Sequence, residues 1–174
     1  MLSQKYKRGV EMQYNKKQVD EIQMANSLGL TEDQIIGYFT PEMTASKMAQ
    51  IRIGFKRGLS EEQIMFYAKL CYSESQMRYI RYAFEEGLSF EQVEVLANPR
   101  LSYDQMSALT IYFRQGLEIE KGQFLTNPRY CTLEMDYIFF SFLDGLSIEQ
   151  AGKYAIPGRI LNNLEEFKSL IKFK

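Results

Sequence analysis

The chain has 174 residues, of which 45% are hydrophobic and 25% charged, with 21 basic and 22 acidic side chains and a net charge of -1. That balance fits one ordinary globular domain. It excludes a membrane span, because no apolar run reaches 18 residues, and it argues against a chain that lives on phosphate backbones, which calls for a basic excess.

The chain opens on Met1-Leu2-Ser3-Gln4-Lys5, which lacks the apolar block of a signal peptide, so a cytoplasmic location is expected. Residues 1–14 read as a degenerate helix acting as an N-terminal cap, with Tyr14 aligned to Met43, Tyr72 and Tyr130. From residue 15 a period of 29 takes over. Gly29, Gly58, Gly87, Gly116 and Gly145 keep it, and each precedes a leucine. Met48, Met77, Met106 and Met135 keep it too, as do Phe55, Phe84, Phe113 and Phe142. Self-similarity at this length marks a repeat architecture. The copies run 15–43, 44–72, 73–101, 102–130 and 131–159.

Each copy reads as two helices. In the third, Ser73 caps the first helix, with Gln76 completing a capping box. Met77, Ile80 and Phe84 then share one helical face. Gly87 stops the helix in the left-handed C′ conformation, with Leu88 folding back. Ser89 and Gln92 open the second helix, Val93 and Leu96 face inward, and Pro99 ends it. The second box recurs as Thr31/Gln34, Ser60/Gln63 and Ser147/Gln150, whereas the fourth copy carries Glu118 and Lys121. Beyond Pro157, the residues Ile160, Leu161, Leu164, Phe167, Leu170 and Ile171 predict an amphipathic closing helix over 160–174, as the end of a stack requires. The expected fold is all-α, a solenoid of five two-helix repeats with a C-terminal capping helix. The apolar period of 3.6 rules out strands.

The phrase Gln76-Met77-Arg78-Tyr79-Ile80-Arg81, ending in Gly87-Leu88-Ser89, resembles a tandem helical repeat of phage and mobile-element proteins of Gram-positive gut bacteria. The resemblance covers residues 15–159. The full Gln-Met-x-x-Ile-Arg core stands only in the third copy; the second has Lys47-Met48 and the fifth Glu134-Met135. The resemblance implies a small accessory protein from a setting where inhibitors of host defence, anti-CRISPR proteins among them, are common. It carries no catalytic residues.

The chain contains no phosphate-binding loop, no dinucleotide fingerprint and no hydrolase or metalloprotease motif. It has no histidine, which removes the commonest general base and metal ligand. Cys71 and Cys131 are too few for a zinc site or a disulfide framework. The carboxylate pairs Glu61-Glu62, Glu85-Glu86 and Glu165-Glu166 read as solvated. Cys131 holds the N-cap position of Asn15, Thr44, Ser73 and Ser102 and reads as a drifted cap rather than a nucleophile. Neither catalysis nor a cofactor is expected.

What remains is a surface. With Met48, Ile51 and Phe55 turned inward, the open side of the first helices is expected about 40–100° further round. That side holds Asp20, Gln23, Ser27; Ala49, Arg52, Lys56; Arg78, Arg81, Glu85; Ser107, Thr110, Arg114; and Asp136, Phe139, Leu143. Arg52, Lys56, Arg78, Arg81 and Arg114 form a basic centre with only Glu85 among them. Phe139 and Leu143 add an apolar end, or else bury against the closing helix. The strip predicts docking of another protein, which the resemblance would make a nuclease complex; the alternative is a nucleic-acid-binding accessory protein using the same strip.

Overall fold

A computed structural model describes residues 13–159. The expected closing helix, and the N-terminal cap up to residue 12, lie outside the described residues. The described chain is all-helical, with long and short helices alternating and no strand among them. The long helices are α1 (Lys16–Leu28), α3 (Ala45–Lys56), α5 (Glu74–Glu85), α7 (Tyr103–Arg114) and α9 (Thr132–Leu143). The short ones are α2 (Glu32–Tyr38), α4 (Glu61–Tyr67), α6 (Phe90–Leu96), α8 (Ile119–Leu125) and α10 (Ile148–Tyr154). Helices of seven residues are too short to persist alone. Packing and caps hold them.

The capping follows the sequence closely. Asn15, Thr31, Ser60, Ser89, Ser102 and Ser147 each accept the backbone N–H of a glutamine three residues on, whose side chain accepts the N-cap N–H in return. Glu118 makes no such cap bond; it pairs with Lys121 at 3.3 Å across the first turn. At the other end of α7, Gly116 has φ +90°, a conformation that side-chain-bearing residues rarely adopt. This lets the Leu117 N–H donate back to the Tyr112 carbonyl at 3.1 Å. Leu30, Leu59 and Leu146 make the same bond, the Schellman closure.

The chain forms two compact units, one ending at Glu85 and one beginning at Glu86. In the first, α3 packs between α1 and α5, while α2 and α4 each pack on the long helix before them. Its core is Ile22, Ile35, Phe39, Met48, Ile51, Ile64, Tyr67, Met77 and Ile80, each at most 1% exposed. In the second, α7 packs on α9 and α6 on α8. Val93, Leu96, Met106, Leu109, Leu125, Met135 and Ile138 are fully buried there. Burying such side chains contributes about 1.5–3 kcal/mol each.

Two glycines mark where one copy's core differs from the next. A Cβ on Gly54 would lie 2.1 Å from the Tyr67 hydroxyl, which donates to the Gln50 carbonyl at 3.1 Å. A Cβ on Gly122 would lie 2.4 Å from Phe113 Cζ. In each unit an aromatic ring occupies the volume a larger residue would need.

The first-helix glutamine does more than cap. Gln18 accepts the Asn15 N–H through Oε1 and donates through Nε2 to the carbonyls of Pro41 and Met43, at 2.9 and 2.6 Å. Gln105 repeats this with Pro128 and Tyr130, at 3.3 and 2.7 Å. Both ends of one amide therefore tie the start of a long helix to the turn after its short helix. Lys47 substitutes an ammonium, which donates to the Leu70 carbonyl at 2.9 Å. Glu134 cannot donate, and there the turn supplies the proton: the Gly158 N–H meets Glu134 Oε1 at 2.7 Å. A tyrosine just before the long helix adds a second tie. Tyr14 and Tyr130 donate to the carbonyls of Phe39 and Ala155, at 2.6 and 2.7 Å.

Candidate interaction surface

The residues expected on the docking strip divide into two groups. Lys56 and Arg78 are exposed, and the Arg78 guanidinium lies 5.5 Å from the Tyr79 ring centroid. Arg114 is also exposed, but it pairs with Glu86 at 2.7 Å. Arg52 is half-buried and pairs with Glu21 at 2.7 Å. Arg81, expected in the open, is only 9% exposed. It faces the Gln50 side chain at 3.4 Å and pairs with Glu85. Three of the five cations therefore meet carboxylates within their own unit, which corrects the expectation of an uncompensated basic centre.

Phe139 is 1% exposed, with its ring stacked on Tyr112 at 4.2 Å between centroids. Leu143 is exposed. Thr110, on the same turn position as Arg52, Arg81 and Phe139, is buried as well.

The reason is geometric. A long helix is flanked by its neighbour as well as by its own short partner. Arg52 and Arg81 point toward the preceding long helix, where Glu21 and Gln50 sit. Phe139 does the same toward α7 through Tyr112. The one position of the expected open side that holds Arg52, Arg81 and Phe139 therefore lies at a helix–helix interface, while Lys56, Arg78, Arg114 and Leu143 stay exposed.

The open side lies one residue further round. Met24, Tyr82, Ile111 and Phe140 are 46%, 40%, 49% and 55% exposed, and Ile53 between them in register is half-buried. These five occupy one repeat position, about 140° from Met48 at 3.6 residues per turn. Single exposed apolar side chains are ordinary on a protein surface. Recurrence at one position in every copy is not. Sequence reasoning passed over this ladder by placing the open face too near the core. The available signal was that position's composition: Met, Ile, Tyr, Ile and Phe, off the inward face yet never charged. In the first unit the ladder is Met24, Ile53 and Tyr82, with Lys56 and Arg78 within one turn. In the second it is Ile111 and Phe140, joined on α9 by exposed Leu133 and Leu143.

Electrostatics elsewhere is structural. Burial, then the hydrogen bond to Asp136 at 2.5 Å, pushes the Tyr112 phenol far above its ordinary range. Burial does the same to Tyr67, with the Arg81 charge opposing it. Cys131 sits at the N-cap of α9, exposed, its N–H donating to Glu134 at 3.0 Å. A shallow cleft of about 300 Å³ between α6 and α8 is lined by Glu91, Glu94, Val95, Ile119, Gln123 and Thr126. Among the described residues no group of three or more carboxylate or thiol side chains is placed to hold a metal ion, and no helix is long and apolar enough to cross a membrane. No protein-family model, curated protein or solved structure matches the chain.

Proposed function

We propose that this chain is a non-enzymatic helical-repeat scaffold, a solenoid of five 29-residue copies, that binds another protein through the outer faces of its long helices. The apolar ladder of Met24, Ile53, Tyr82, Ile111 and Phe140 carries the reading. Aromatic and aliphatic groups held on helices lose little entropy on contact and anchor interfaces. Of the residues expected on the strip, Lys56 and Arg78 remain as flanking charges, Arg114 is an exposed cation paired with Glu86, and Arg52, Arg81 and Phe139 support the scaffold beneath. An apolar ladder favours a protein partner over nucleic acid, which would ask for a wide basic face.

The resemblance to mobile-element repeats extends the proposal to an inhibitor of a host defence system such as a CRISPR effector nuclease. The test compares the wild-type chain with Tyr82→Ser combined with Phe140→Ser, in partner recovery and in a cellular assay of nuclease interference. A Glu61→Lys, Glu62→Lys variant serves as the surface control. We expect the ladder variant to lose recovery and interference at unchanged helicity. Equal recovery by all three proteins overturns the ladder as the binding face.

A further inference from the structure

The outer face of the first unit is polarised. Lys16 and Lys17 on α1, Lys56 and Arg57 at the end of α3, and Arg78 on α5 are exposed. None of them lies within ion-pair distance of a carboxylate among the described residues. The carboxylates that could neutralise the face are engaged inside it, Glu21 by Arg52 and Glu85 by Arg81. Asp20 and Glu74 are the exposed carboxylates on these three helices, so five cations face two anions. The acidic side chains of this unit gather elsewhere: Glu32, Asp33, Glu61 and Glu62 occupy the first turns of the short helices α2 and α4. The near-neutral net charge conceals this segregation.

We infer that the first unit binds an acidic amphipathic helix of a partner protein, its apolar stripe on Met24, Ile53 and Tyr82 and its carboxylates on Lys56, Arg57 and Arg78. The inference rests on the proposed protein-binding role and specifies the chemistry of the occupant. Packed helices lie about 8–10 Å apart, so the ladder offers an apolar group at roughly that interval. A helix presents the same face every seven residues, about 10 Å, which suits a helix lying across α1, α3 and α5. Apolar anchors at heptad spacing on an amphipathic helix are an established recognition mode. Complementary charge at the rim steers association and excludes basic partners.

The probe is a synthetic amphipathic helix of about 20 residues, with Leu and Phe on one face and Glu beside it. Its twin carries Lys in place of every Glu, and an oligothymidylate of similar charge is the third ligand. Binding to the full chain is read by fluorescence anisotropy. We expect the acidic peptide to bind at least tenfold more tightly than its basic twin, with affinity falling as salt rises. Lys56→Glu with Arg78→Glu should abolish the preference while leaving the circular dichroism unchanged. Met24→Ser with Tyr82→Ser should weaken both peptides. If both peptides bind alike and the serine variant weakens them, the charge assignment is wrong and the protein-binding role stands. If neither binds, both fall for this face. Tighter binding of the oligonucleotide than of the acidic peptide overturns the inference in favour of a nucleic-acid ligand.

Discussion

Alanine at four glycines in helix interiors should give effects of opposite sign, decided by what the new methyl group meets. Gly37 in α2 has nothing within 4 Å of an added Cβ, and Gly152 in α10 has only Phe124 Cε2 at 3.8 Å. Neither has positive φ. Alanine there gains the helix-propensity difference, about 0.8–1 kcal/mol, unopposed. Gly122→Ala gains the same but places Cβ 2.4 Å from Phe113 Cζ and 2.7 Å from Cε1, where carbon contacts require about 3.5–4 Å. The buried ring must move by more than 1 Å, by that comparison. Overpacking of that kind costs about 1–3 kcal/mol, more than the propensity gain over most of the range. Gly54→Ala meets the Tyr67 hydroxyl at 2.1 Å, and displacing it also breaks the bond to the Gln50 carbonyl. Leaving that group unsatisfied adds about 1–3 kcal/mol, so the net loss is about 1–5 kcal/mol. Thermal unfolding followed by circular dichroism reads this directly, at about 2–4 °C per kcal/mol for a chain of this size. Gly37→Ala and Gly152→Ala should raise the midpoint; Gly54→Ala and Gly122→Ala should lower it. Tyr67→Phe removes the clashing oxygen, so in the Gly54→Ala background it should cost less than in the wild type, a coupling of about 1 kcal/mol or more. Four shifts of the same sign, or no coupling between positions 54 and 67, would falsify the packing argument.

Tyr67 and Tyr112 should ionise only well above the ordinary phenol range, and without tryptophan the tyrosinate band is readily followed. Their folded pKa values lie above the unfolded value of about 10, so the folded state holds more protons at alkaline pH. Stability is then complete below pH 10 and falls as pH rises beyond it. Tyr112→Phe should flatten that alkaline slope, and an unchanged slope would show that this phenol is not held neutral by the fold. For the glutamine ties, Gln105→Ala should cost about 1–3 kcal/mol in urea unfolding, since it removes a cap and strands the buried Tyr130 carbonyl. Gln92→Ala loses only an exposed box, about 0.5–1 kcal/mol; equal losses would dissolve the distinction.

The helices and their ends were legible because each signal is local. Ser89 and Gln92 lie one turn apart, as do Ser60 and Gln63, and such pairs announce a helix start without reference to the rest of the chain. The inward face was legible for a similar reason: Met77, Ile80 and Phe84 repeat at one angular phase. The outward face was not, because it depends on where neighbouring helices lie. Arg81 looks like a surface residue by type, and only the position of Gln50 and Glu85 shows why it is buried. Phe139 posed the same question, and the Tyr112 ring answers it. The second role of Gln18 and Gln105 was hidden for the same reason: a capping box is visible in sequence, but the carbonyls 23–25 residues away that receive the Nε2 protons are not.

Those glutamine ties have a kinetic and evolutionary consequence. The Gln18, Lys47, Gln105 and Glu134 links each close within 23–25 residues, so the loop that must form before the hairpin is secured is short, and its closure entropy is small. Folding dominated by such local closures is fast. Because the tie lies inside the copy, a duplicated or deleted copy brings or removes both of its partners together. For the Gln18, Lys47 and Gln105 ties, a change that kept both partners together would leave none of their carbonyls stranded. The fifth copy limits this freedom: Glu134 needs an N–H where the other ties use carbonyls, so it must travel with the Gly158 turn that provides one.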